Sequence, residues 1–262
     1  MWTQRDHAIC DSRISSTAYR YFATARRKFI LAETEHVGRS IKVAPRGTLR
    51  LKSFSGRVTI SASDQPEVVI DAVRRATREQ LDRIKLDIRS EGSTVAVDAN
   101  RRDRSWFDWT GRNNVVETDF DIKVPRRTNL DISVFSAPVD VQGVEGSYHV
   151  RTFSSQVRLS DVVGAVHAQS FSGSVDIRTK EWQDNQTINV DTFSGSVQLH
   201  VPDRAYGTVH FNSFSGRLSA ELPLTFSTSN RRSFTARLGS RDGGDGGSLR
   251  LKTFSGNVAI DK

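Results

Sequence analysis

The stretch SFSGSVDI at 170–177 returns 22 residues later as TFSGSVQL at 192–199. Each copy reads as a small hydroxyl residue, Phe, Ser and Gly, followed by apolar residues at alternate positions. Related tetrads occur along the chain at Phe54, Phe135, Phe153, Phe171, Phe193, Phe214, Phe234 and Phe254, and each Phe is followed by Ser or Thr. After a first gap of 81 residues the spacings are 18, 18, 22, 21, 20 and 20. LRLKSFSGRVTI at 49–60 nearly recurs as LRLKTFSGNVAI at 249–260. Self-similarity at a steady period marks a stacked-repeat architecture.

Aligning the repeats on Phe exposes the constraint at each position. Three residues before it stand Leu51, Ile132, Val150, Ala168, Val190, Phe211, Arg231 and Leu251, apolar with one exception. Four residues after it stand Val58, Val139, Val157, Val175, Val197, Leu218, Leu238 and Val258, apolar throughout. Two residues before it every side chain is polar. Each repeat is thus two short strands of period two, joined at a small-residue corner. A second corner often carries Gly too, as in DVQGVEG (140–146) and DVVGAV (161–166). The pattern predicts an all-β chain, a parallel β-solenoid (β-helix-like) with coils of about 18–22 residues, like residues stacking about 4.8 Å apart. A row of antiparallel hairpins turning at Ser-Gly is the alternative. It does not require the same residue in the same column, so the solenoid is preferred.

Residues 1–40 read as an N-terminal extension and 41–262 as a single solenoid domain, with 61–127 an irregular insertion or divergent coils and 128–262 the regular repeats. Within 17–31, TAYRYFATARRKFIL places Ala18, Phe22, Ala25 and Phe29 on one face of a short amphipathic helix. That helix could lie on the protein body or make peripheral membrane contact. VVIDAV (68–73), IKLDI (84–88), TVAVD (94–98) and VETDFDIKV (116–124) alternate as strands, and Thr77 with Gln80 fits a capping box.

The Phe column poses a problem of phase. Alternation carried forward from the upstream strand points it outward; carried back from the downstream strand, it points inward. The residue before Phe is always Ser, Thr or Val, and the residue after it always Ser or Thr. Small residues on both sides suggest confined, inward positions whose hydroxyls satisfy backbone groups, leaving Phe outside. A buried ladder is the competing arrangement, because burying Phe is worth roughly 1.5–3 kcal/mol.

SFSGRVTI (53–60), SFSGSVDI (170–177) and TFSGSVQL (192–199), with their SGxV corners, resemble the bacterial putative-adhesin family. That is a domain of unknown function made of short β-strand repeats. The likeness spans roughly 41–262 and includes PRRTNLDI (125–132). It implies a solenoid and an adhesin-like role, and it brings no catalytic residues. It also implies the cell envelope or extracellular space. The N-terminus, by contrast, lacks the apolar core and cleavage site of a signal peptide, so the location stays open: cytoplasmic by default, and the envelope only if the start site lies further upstream.

Composition excludes several classes. One Cys and one Met leave no disulfide framework and no cysteine zinc site. Residues 1–127 hold 25 Lys/Arg against 17 Asp/Glu, while 128–262 hold 13 of each, so the net +8 sits in the first half. Those charges are scattered, which argues against a nucleic-acid surface. DGGDGG (242–247) lacks the Lys-Ser/Thr of a phosphate loop, and no GxSxG, HExxH or carboxylate pair is present. No enzyme activity, cofactor or metal is expected. His149, His167 and His210 each fall four residues before a Phe and read as an exposed polar column.

The candidate partner-binding residues are Phe153, Phe171, Phe193 and Phe214 on the solenoid face, with Trp106, Phe107 and Trp109 in the Arg-rich loop RRDRSWFDWTGRNN (101–114). Aromatics among arginines suit a protein or glycan partner. The alternative is a purely structural or self-assembling scaffold, associating through a C-terminal coil (258–262) left without a cap.

Overall fold

Alternation alone accounts for the strands. In TLRLKSFS (48–55), Leu49 and Leu51 are buried, while Arg50, Lys52 and Phe54 face out. The structure, a computed structural model, describes residues 32–102, 115–230, 232–239 and 246–262. The proposed helix at 17–31 and the Trp106–Phe107–Trp109 loop lie outside the described residues.

The elements run β1 (Glu33–Lys42), β2 (Thr48–Ser55), β3 (Val58–Ser63), β4 (Glu67–Ala76), α1 (Arg78–Arg83), β5 (Ile84–Glu91), β6 (Thr94–Arg102) and β7 (Glu117–Pro125). Next come β8 (Asn129–Ser136), β9 (Val139–Gln142), β10 (Tyr148–Ser154), β11 (Val157–Val162), β12 (Val166–Ser172), β13 (Val175–Thr179), β14 (Thr187–Ser194) and β15 (Val197–His200). The last are β16 (Gly207–Ser213), β17 (Leu218–Ala220), β18 (Leu224–Asn230), β19 (Ser233–Leu238), β20 (Gly247–Ser255) and β21 (Val258–Asp261). The four strands expected between 61 and 127 are β4 to β7. The expected capping box is present, with Thr77 Oγ1 accepting from the Gln80 N–H and Gln80 Oε1 from the Thr77 N–H.

The strands form two large, mostly parallel sheets, a solenoid-like all-β architecture. The first runs β1-β4-β7-β3-β9-β11-β13-β15-β21-β17, the second β18-β19-β16-β20-β14-β12-β10-β8-β2-β6-β5. Each Phe-Ser-Gly corner carries the chain from the second sheet to the first. Leu130, Tyr148, Val166 and Ile188 are register partners in turn, so like positions stack coil on coil. The inward columns merge into one continuous apolar core. Among the described residues, antiparallel pairing, the rejected alternative, occurs only toward the ends: β1-β4-β7, β5-β6 and β16-β19-β18.

Spatial order departs from chain order in the last coils. β20 lies between β14 and β16, and β21 between β15 and β17. Val258 is therefore in register with both Val197 and Leu218. This corrects the expected bare coil at 258–262: β21 is paired along both edges, and that coil is interior. The physical reason is that β20 and β21 form parallel ladders along both edges, with apolar residues in register with like residues of the coil on either side.

Candidate functional site

The residue before each corner Phe points inward: Ser53, Thr152, Ser170, Thr192, Ser213 and Thr253 are buried. The Phe that follows points out. Phe54, Phe135, Phe153, Phe171, Phe193, Phe254 and Phe214 are 39–53% exposed. Their rings stack in that spatial order, centroids 4.5–4.8 Å apart and planes within 12°. The expected outward ladder is thus present, with seven rungs rather than eight. Phe234 leaves it because β19 runs antiparallel; its ring packs 5.2 Å from Phe211 and 5.1 Å from Phe226. Of the expected site residues, Phe153, Phe171 and Phe193 are consecutive, and Phe254 separates Phe193 from Phe214. The far face of Phe214 is covered by the Arg232 guanidinium, 4.5 Å from the centroid.

One detail of the phase argument is overturned. The residue after Phe does not point inward: Ser136, Ser154, Ser194, Ser215 and Ser255 are exposed. Upstream alternation continues through Phe, and the slip falls at Ser-Gly. Small residues are demanded there by backbone, because corners of successive coils hydrogen-bond directly. The Ser172 carbonyl accepts from the Ser155 N–H (3.0 Å), and the Ser194 carbonyl from the Gly173 N–H (3.2 Å). A Cβ on Gly173, whose φ is +140°, would lie 2.0 Å from the Ser155 carbonyl oxygen. On the other side of Phe, the hydroxyls of Thr152, Ser170, Thr192 and Thr253 make no hydrogen bond among the described residues. Size selects them more than polarity does. Only Ser53, donating to the Ser55 carbonyl, and Ser213, accepting from the Gly216 N–H, serve the backbone as expected.

Beside the ladder the second sheet presents two further outward columns. The nearer, two residues before Phe, reads Lys52, Ser133, Arg151, Gln169, Asp191, Lys252 and Asn212 in spatial order; the farther reads Arg50, Asp131, His149, His167, Asn189, Arg250 and His210. Ladder and nearer column bound an open groove of about 890 Å³. Five cations face two carboxylates across these columns. Asp131 is shared by Arg50 (3.2 Å) and Arg151 (3.1 Å), whereas Lys52, Arg250 and Lys252 form no ion pair among the described residues. The surface is therefore basic as well as aromatic.

The His column divides. His149 and His167 stack at 4.7 Å, while His210 stands apart against Arg250, its Nδ1 3.1 Å from Thr235 Oγ1. The His149 imidazole is held below its ordinary protonation range, first by burial and then by Arg151 and His167, with Asp131 opposing. Among the described residues no group of three or more His, Cys, Asp or Glu could hold a metal. Sequence reasoning passed over Phe54, Phe135 and Phe254 as site residues, although the shared tetrad marked them as rungs. Arg232 carried no such signal.

No helix among the described residues is long and apolar enough to cross a membrane. No curated protein matches the chain in sequence. Among solved structures, a putative cell adhesion protein from Clostridium sporogenes is 11% identical, with a TM-score of 0.52 over 87% of this chain and 99% of that one. A putative adhesin from Bacteroides fragilis, also 11% identical, matches over 86% and 97% with a TM-score of 0.43. At such identity the likeness to the Clostridium sporogenes protein concerns the fold alone. Residues 136–261, the span of SGxV corners and stacked parallel coils, match the family model described as Toastrack DUF4097.

Proposed function

We propose that the chain is a non-enzymatic, adhesin-like interaction module that binds a partner protein through the outer face of its second sheet. The Phe ladder, exposed on its outer side among the described residues, carries this reading. An exposed apolar strip of this length is a liability unless something docks on it. The ladder's geometry favours protein over glycan. Sugars stack on aromatic faces, and here every inner ring spends both faces on its neighbours. What remains is a ribbed row of ring edges about 28 Å long, suited to aliphatic and aromatic side chains. The unpaired Lys52, Arg250 and Lys252 favour an acidic partner. Trp106, Phe107 and Trp109 are a second recognition element in this proposal. The frame presenting the ladder is a single β-solenoid domain of 18–22-residue coils, supported by register offsets of 18, 18 and 22 along Leu130, Tyr148, Val166 and Ile188.

Replacing Phe171, Phe193 and Phe214 together with Ser tests the proposal. The probes are an array of acidic peptides rich in Leu and Phe, and a glycan array. Expected are salt-sensitive peptide binding by the native chain and its loss in the variant, which keeps its β circular dichroism. A variant that melts far lower yet binds the same peptides equally would make the ladder packing alone, the scaffold reading. Binding to glycans only would overturn the choice of partner.

A further inference from the structure

With β21 paired on both sides, the free sheet edges lie elsewhere, and they differ in how well they are blunted. Among the described residues the end strands are β1 and β17 in the first sheet and β18 and β5 in the second. β17 has three residues. β18 breaks register with its neighbour between Phe226 and Thr228, and β5 between Lys85 and Asp87. Such shortness and bulging are the usual devices that stop an edge from recruiting another strand. β1 has neither. Its ten residues pair with β4 without a single register shift, leaving a long, regular row of backbone groups on the other edge.

β1 is also poorly covered on both faces. Eight of its ten residues are exposed, and only Val37 and Ile41 are partly buried against the core. Its charges are sorted along its length. Glu33 and Glu35 lie in the first half, Arg39 and Lys42 in the second. A parallel copy would meet like charges, an antiparallel copy opposite ones.

We infer that β1 is a self-recognition edge, pairing antiparallel with β1 of a second copy of this chain about a two-fold axis. Symmetry and the pleat restrict the register. Opposed residues must share a face, so their numbers sum to an even value. Centring on His36 sets Glu33 against Arg39, but it also opposes imidazole to imidazole and Glu35 to Val37, and it overlaps only seven residues. Centring on Gly38 leaves no acid directly opposite a base. Centring on Val37 overlaps nine residues, Glu33 to Ile41. It opposes Val37 to Val37 on the core-facing side and sets Glu35 against Arg39 twice, once on each side of the axis. Arg39 forms no ion pair within its own chain among the described residues. The Glu35 carboxylate already accepts from the buried Arg74 guanidinium through Oε2, leaving Oε1 for the partner's Arg39. This register adds roughly eight to ten backbone hydrogen bonds and fuses the first sheets of two copies. The contact is independent of the Phe ladder, which belongs to the second sheet.

Sedimentation velocity of the full chain, from about 1 to 100 µM, tests the inference. Expected is a reversible dimer that weakens with salt. Arg39→Glu turns two attractions into two repulsions and raises the dimer dissociation constant at least about tenfold. Val37→Cys in a Cys10→Ser background gives a disulfide-linked dimer on oxidation, because two-fold partners at the axis bring their Cα atoms within bridging range. Thr34→Cys, which would face Ser40, does not link. A chain that stays monomeric throughout overturns the inference. So does a dimer indifferent to Arg39→Glu, or one in which Val37→Cys links no better than Thr34→Cys.

Discussion

Replacing Gly173 with Ala puts the corner geometry to a quantitative test. At this position φ is +140°, a region an L side chain adopts only under strain costing about 1–3 kcal/mol. The new Cβ would also lie 2.0 Å from the oxygen and 2.7 Å from the carbon of the Ser155 carbonyl. Both atoms are backbone, so relief requires prising two coils apart. That weakens the Ser155–Ser172 backbone bond between them, worth about 1 kcal/mol. The total is about 2–4 kcal/mol, or a fall of roughly 5–15 °C in Tm for a domain of this size. Gly92→Ala is the control: φ is +61° and nothing lies within 4 Å of the added Cβ, so only about 1 kcal/mol of left-handed strain applies. Thermal and urea melts followed by circular dichroism measure both variants. Equal melting would refute the idea that coil-to-coil backbone contact is what requires glycine at the SGxV corner.

Two further outcomes follow from single side chains. The fold resists a proton on His149 that the unfolded chain accepts near 6.5, so stability should decline as pH falls below that value and level off once the folded imidazole is also charged. His149→Gln should flatten that decline in melts from pH 7.5 to 5, and an unchanged slope would assign it to other groups. The buried Tyr148 hydroxyl donates to the Val144 carbonyl, and burial lifts its pKa well above the ordinary phenol value. Tyr148→Phe leaves that carbonyl unpaired and should cost about 1–2 kcal/mol, read from urea midpoints at constant m.

Much of the coil was legible because its determinants are local. Alternation in LRLKSF and VDI names the inward residues, and Gly173 and Gly195 mark the corner. The outward Phe followed from the Ser or Thr before it. The Ser after Phe misled, because smallness there reflects backbone packed against backbone rather than a confined side chain. Loss of Phe234 from the ladder was not legible. FTARL scans like the other downstream strands, and only its antiparallel partner, β16, turns the ring away. The basic character of the ladder face escaped notice as well. Lys52, Arg151 and Lys252 are far apart in sequence and become one column only when their strands pair.

The sequence by itself determined the two-strand coil, the glycine corner and the stacking column, since each depends on residues a few positions apart and on a repeat that makes every coil alike. That same likeness conceals the order of assembly. Coils with interchangeable inner faces can stack in more than one sequence, and LRLKTFSGNVAI carries no mark of its neighbours. Tertiary structure decided that this coil lies between β14/β15 and β16/β17, that the ladder runs from Phe193 to Phe254 to Phe214, and that β1 rather than β21 lies at a sheet edge. Those choices rest on the fit between whole faces and on where the antiparallel ends stop the stack, which no local pattern encodes.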